Sequence, residues 1–155
     1  MIITTDLGTF KAFRLQRTEM NTPRLEVIEA FELREAHERM SDRVSDQAGR
    51  WKVPMQSMAM SYGEQQKITL ELRRRLIKQV AEQMRNIVAS GTVEACYFAA
   101  SPEINEQVLN EAGAQVRAKI EKNLTCNLTN LHKDELLQHF LEPEPGGARR
   151  IERPA

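Results

Sequence analysis

From Ser61 to Pro102 the chain reads SYGEQQKITLELRRRLIKQVAEQMRNIVASGTVEACYFAASP. Ser61 and Glu64 have the spacing of a capping box, in which hydroxyl and carboxylate each satisfy a free backbone N–H. Ile68, Leu72, Leu76, Val80, Met84 and Val88 then recur every fourth residue, and Ile77, Ala81 and Ile87 widen the apolar stripe. Gly91, following Ser90, terminates this helix. At 1.5 Å per residue the helix is about 40 Å long. Val93 to Ala100 is almost wholly apolar, the pattern of a strand covered on both faces. Ser101 and Pro102 supply an N-cap and a first helical position. A long capped helix feeding a buried strand and a second helix predicts a mixed α/β domain.

Working outward, Ile2 to Thr5 is a short β-branched run followed by the turn residues Asp6-Leu7-Gly8. In Thr9 to Arg17, Phe10, Ala12 and Arg14 alternate with Lys11, Phe13 and Leu15. After Pro23, Leu25, Val27 and Phe31 are expected on one face and Ile28 and Ala30 on the other. Three such runs with short links predict an antiparallel meander. Arg34 to Arg43 has sparse apolar positions and reads as a short helix; Ser45 to Trp51 reads as an ordered loop anchored by Trp51. C-terminal to the quoted stretch, Ile104, Val108 and Leu109 give the second helix an apolar side that ends at Gly113. Val116, Ala118 and Ile120 alternate with charged residues and predict a half-exposed edge strand. Asn130 is expected to cap a last helix carrying Leu131, Leu136, Leu137, Phe140 and Leu141. The order is β-β-β-α-β-α-β-α, with the last two strands parallel. It is the element order of a ribonuclease H-like five-stranded mixed sheet, one domain over residues 1–141. Residues 142–155, rich in Pro, Gly and Arg, read as a flexible tail.

The bulk composition narrows the function classes. At 155 residues the chain suits one domain with its own core. Lys and Arg equal Asp and Glu at 22 each, so a nucleic-acid or membrane surface must be a local patch. Cys96 and Cys126 read as reduced thiols. The opening residues lack the basic and apolar regions of a secretion signal, and no run approaches a membrane span. A cytoplasmic protein is expected. The Asn123-Leu124-Thr125 and Asn127-Leu128-Thr129 sequons are then chance matches.

The hairpin Ile2 to Phe13, the loop Ser45-Asp46-Gln47-Ala48-Gly49-Arg50, the long helix, and Ile120 to Thr125 leading to Leu136-Leu137 together resemble the bacterial host attachment protein family. That family is similar to the middle domain of archaeal and eukaryotic peptide-chain release factors, which has a ribonuclease H-like core. The resemblance implies a partner such as RNA or the ribosome. Two departures limit what it carries over. Release factors place a Gly-Gly-Gln tripeptide ahead of the long helix, and this chain has Gly63-Glu64-Gln65. Ribonuclease H-type sites gather carboxylates at strand ends to hold two magnesium ions. Here Asp6 is well placed, with Glu64 or Glu71 on the helix, but Ala99-Ala100-Ser101-Pro102 stands where another acid is required.

Asp6, Asp46, Gly49, Arg50, Trp51, Arg73, Arg74 and Lys78 are the candidate binding residues. A Gly-Arg pair on a loop brings backbone and guanidinium to an anion; the alternative is a loop pinned by Trp51. Arg73, Arg74 and Lys78 offer phosphate contacts, against a solvated helix face in which consecutive residues fan apart. Met55, Met58 and Met60 suit a strand face, a core filler or a partner surface. His132 and His139 lack a third ligand and a His-Glu-x-x-His pattern, so no metal site is expected. Cys96, mid-strand, reads as a small hydrophobe rather than a nucleophile paired with His37 or His132. No cofactor is expected. The reading is a non-catalytic interaction module for RNA, the ribosome or a protein partner. Its alternative is a metal-dependent phosphodiesterase using Asp6 and Glu64 or Glu71. Homodimerisation through the edge strand or the long helix is a further expectation.

Overall fold

The computed structural model describes residues 1–33 and 62–141. The expected helix at Arg34–Arg43, the Ser45–Trp51 loop, the methionines Met55, Met58 and Met60, and the Ser61 cap lie outside them. The strands are β1 (Ile2–Thr5), β2 (Thr9–Arg17), β3 (Pro23–Glu32), β4 (Cys96–Ala100) and β5 (Ile120–Leu124). The helices are α1 (Tyr62–Ala89), α2 (Pro102–Ala112), α3 (Ala114–Lys119) and α4 (Lys133–Leu141). The five strands form one open mixed sheet in the order β3-β2-β1-β4-β5. The meander β1-β2-β3 is antiparallel, while β4 runs parallel to both β1 and β5.

The sheet separates two apolar layers. On one side Ile3, Phe10, Phe98 and Ala100 meet the buried stripe of α1 (Leu76, Ile77, Val80, Ala81, Met84 and Ile87) together with α2 and α3. On the other side Ile2, Phe13, Leu25 and Ala99 meet Leu128 and the α4 residues Leu136 and Phe140. At about 1.5 Å per residue the 28 residues of α1 extend some 42 Å. Gly91, at φ 73°, provides the stop after it.

Four local expectations are corrected. First, Leu25 and Phe31 do not share a face: Leu25 packs in the α4 layer and Phe31 against the α1 layer. Ala12 pairs with Glu29 but Phe13 with Val27, so Ile28 is an extra residue in β3. Such a bulge inverts the alternation on one side of itself. Second, residues 114–119 form α3 rather than a strand, giving the order β-β-β-α-β-α-α-β-α among the described residues. Gly113, at φ 90° and ψ 177°, turns the chain sharply between α2 and α3. Val116 is buried from a helix, and β5 begins only at Ile120. Third, β4 starts at Cys96, although Val93 ahead of it is buried. Fourth, α4 begins at Lys133 and not beside Asn130. The His132 N–H donates to the Glu135 carboxylate at 3.0 Å, which is the return half of a capping box.

Candidate functional site

The parallel strands β1, β4 and β5 share one end, and their C-terminal residues lead into Asp6, Ser101 and Thr125. In open α/β sheets such an end is where ligands are usually held. Here it is built as a clasp. Asp6 Oδ1 accepts from the backbone N–H of Gly8 at 2.7 Å and of Thr9 at 2.6 Å, closing the β1–β2 turn. Asp6 Oδ2 accepts from Thr129 Oγ1 at 2.8 Å and from Asn127 Nδ2 at 3.2 Å. The Thr129 hydroxyl also lies 2.7 Å from Asn127 Oδ1, but it has one proton, and the carboxylate is the stronger acceptor. Asn127 Oδ1 instead takes the Thr129 N–H at 3.0 Å, and Lys11 Nζ donates to the Thr129 carbonyl at 2.7 Å. Asp6 thus ties the first turn of the fold to the β5–α4 connection.

Thr5 of β1 pairs with Ala100 of β4, so the neighbour of Asp6 across the sheet end is Ser101, a residue without charge. Ser101 makes no side-chain cap; its carbonyl accepts from the Ile104 and Asn105 N–H groups, and Pro102 fills the first helical position as expected. Asn105, 2% exposed, donates to Asn123 Oδ1 at 2.8 Å and to the Leu124 carbonyl at 3.1 Å. Asn123 Nδ2 returns a 2.8 Å bond to Asn105 Oδ1. This reciprocal amide pair fastens α2 to the end of β5. Among the described residues, no three His, Cys, Asp or Glu side chains are grouped so as to hold a metal. Both His132 and His139 are exposed. Cys96 is fully buried, and burial pushes its thiol up to about 11, well above the range of a reactive thiolate.

The basic residues of α1 divide. Arg73 is half-buried and its guanidinium donates to the Glu103 carbonyl in the first turn of α2. Arg85, twelve residues on, donates to the Glu111 carbonyl at 2.7 Å. The two arginines hold α2 against α1 at both ends. Arg74 and Lys78 are exposed, and the 4-residue and 7-residue spacings from Lys78 and Lys67 bring all three onto one side of the helix with Glu71 among them. Beside that side, between α1 and α2, lies a groove of about 580 Å³. Leu70 and Ile77 form its apolar part, Lys67 and Arg74 its basic part, and Glu71 and Glu111 its acidic part. Gly63-Glu64-Gln65 falls within the first turn of α1, not in a loop ahead of it. The structure therefore keeps Arg73, Arg74 and Lys78 on one helix, far in sequence from Asp6. Asp46, Gly49, Arg50 and Trp51 lie outside the described residues.

Sequence reasoning missed Thr129, Asn127, Asn105 and Asn123. The signal for the first two was present as Asn127-Leu128-Thr129: an Asn two positions before a Thr closes a local side-chain turn.

An open mixed sheet, covered by α1, α2 and α3 on one face and by α4 on the other, with a carboxylate clasp at its parallel end, defines an α/β protein. Within that class, the chain belongs to the family described as proteins required for attachment to host cells, whose model matches residues 1–140. No curated protein and no solved structure matches it. No described helix is long and apolar enough to cross a membrane.

Proposed function

We propose that this protein is a non-catalytic, cytoplasmic interaction module on a ribonuclease H-like core, related to the release-factor middle domain, that contacts RNA through the outer side of α1. The strand order β3-β2-β1-β4-β5, antiparallel in the meander and parallel beyond it, supports that core. The observation that carries the non-catalytic reading is the clasp: both oxygens of Asp6 are engaged by four donors. A nuclease would need that carboxylate free to face a metal ion, and further acids beside it. Lys67, Arg74 and Lys78 support α1 as the contact surface, because flexible cations on one exposed helix side can follow a phosphate backbone.

The test is a titration of single-stranded and ribosomal RNA across about 50–200 mM salt, where phosphate contacts lose affinity steeply. Wild-type protein is expected to bind at the low end. Replacing Lys78 with Ala is expected to lower the salt slope by about one. Failure to bind either RNA at low salt removes the reading.

A further inference from the structure

The first half of α1 is more exposed than the second. No side chain described between Gln66 and Arg75 is buried, whereas Leu76, Ile77, Val80, Ala81, Met84 and Ile87 are buried in the second half. Helices in folded proteins are held mainly by packing of their apolar side. Leu70 nevertheless stands 65% exposed at the edge of the α1–α2 groove, beside the apolar surface of Ile77.

The charges around this groove are mixed: Lys67 and Arg74 on α1, Glu71 on α1 and Glu111 on α2. A two-fold interface suits such a mixture, because the same patch must complement itself. A patch of one sign repels its copy, while one that carries both signs can pair each cation with the other subunit's carboxylate.

We infer that a second copy of this chain docks on the α1–α2 face. Leu70 of each copy enters the groove of the other over Ile77. Lys67 and Arg74 of each copy meet Glu71 and Glu111 of the other, so every charged contact occurs twice about the axis. Desolvating the two leucines supplies the apolar centre, and the charges fix the register and exclude unrelated partners. Lys67 and Arg74 belong to both readings, so the tests are kept apart by Leu70 and Glu111, which the RNA reading does not use, and by Lys78, which the dimer does not use.

Light scattering and sedimentation velocity on the intact chain, over a dilution series, test it. Wild-type protein is expected at twice the 17.8 kDa mass of one chain, dissociating on dilution. Leu70→Glu is expected to run as a monomer with an unchanged far-UV spectrum. Should that variant misfold, a charge exchange decides. Arg74→Glu and Glu111→Arg are each expected to be monomeric alone, and an equimolar mixture of the two is expected to recover the dimer. A wild-type monomer throughout the series overturns the inference, including the case in which residues 34–61 of the same chain cover Leu70. So does a Leu70→Glu dimer, or a mixture that stays monomeric.

Discussion

Thr129 donates its hydroxyl to the Asp6 carboxylate at 2.8 Å, across 123 positions of sequence. The bond joins the first turn of the chain to the connection that delivers α4. Removing Asp6 by Asp6→Ala leaves the Gly8 and Thr9 N–H groups without their acceptor, while the Thr129 hydroxyl turns to Asn127 Oδ1. A loss of about 2–4 kcal/mol is expected, since hydrogen bonds to a charged group contribute more than neutral ones. Thr129→Val is expected to cost about 1–2 kcal/mol. In urea unfolding the double variant should fall short of the sum by about 1 kcal/mol, because the sites interact directly. Strict additivity would mean that the bond contributes nothing.

Cys96 gives a pH dependence. Its pKa rises from 9.0 to about 11, mainly through burial, so the folded protein retains a proton that the unfolded chain releases. The sign follows from linkage: below pH 9 both states hold the proton and the thiol has no effect. Above pH 9 stability declines with rising pH until the folded thiol itself ionises near 11. The total loss from this group is about 3 kcal/mol at most. Cys96→Ala should flatten that decline relative to wild type in unfolding curves taken from pH 8 upward. Identical slopes for the two proteins would refute the assignment. At pH 8 a thiol reagent should leave Cys96 unmodified until denaturant is added.

Asn105 tests how α2 is attached. Asn105→Ala removes the donor to the Leu124 carbonyl and both bonds with Asn123, while Asn123, being exposed, regains water. The expected cost is about 1–3 kcal/mol. Asn123→Ala should cost more than an ordinary surface substitution, because it leaves the buried Asn105 carbonyl oxygen without its donor. Hydrogen exchange in β5 should accelerate in both variants; unchanged protection there would place the anchor of β5 elsewhere.

The two positive-φ glycines should differ in their tolerance of a side chain. Neither would clash, as nothing lies within 4 Å of an added Cβ at Gly91 or Gly113. Gly113 combines φ 90° with ψ 177°, a region other residues avoid. Gly113→Ala is expected to cost about 1–3 kcal/mol through backbone strain alone. Gly91→Ala, at φ 73°, should cost about 1–2 kcal/mol. A neutral Gly113→Ala in thermal unfolding would mean that the α2–α3 corner relaxes.

The elements legible in the sequence were those with sustained periodicity. Alternation in Thr9–Arg17 marked a strand, the fourfold recurrence from Ile68 to Val88 marked α1, and the run up to Ala100 marked β4. Where the signal was short it failed. Val116, Ala118 and Ile120 fit a period of two as well as one turn of helix, and six residues do not separate the two. Ile28 carries no mark of being the extra residue, because a bulge is defined by its pairing with Ala12 and Phe13. Asp6 was visible as a turn residue and as a lone acid. Its purpose depends on Thr129, which only folding brings near. The mixed groove escaped notice because Glu111 comes from another helix.

The bulge at Ile28 has a consequence for how the sheet ends. One of its two outer strands, β3, directs Leu25 to one layer and Phe31 to the other, so an incoming strand would meet a pleat that changes phase halfway. Pro23 offers no N–H to such a strand, and Glu26, Glu29 and Glu32 would set like charges against any second copy of the same border. This border of the sheet is thereby protected against edge-to-edge pairing, and the single additional residue in β3 is part of that protection.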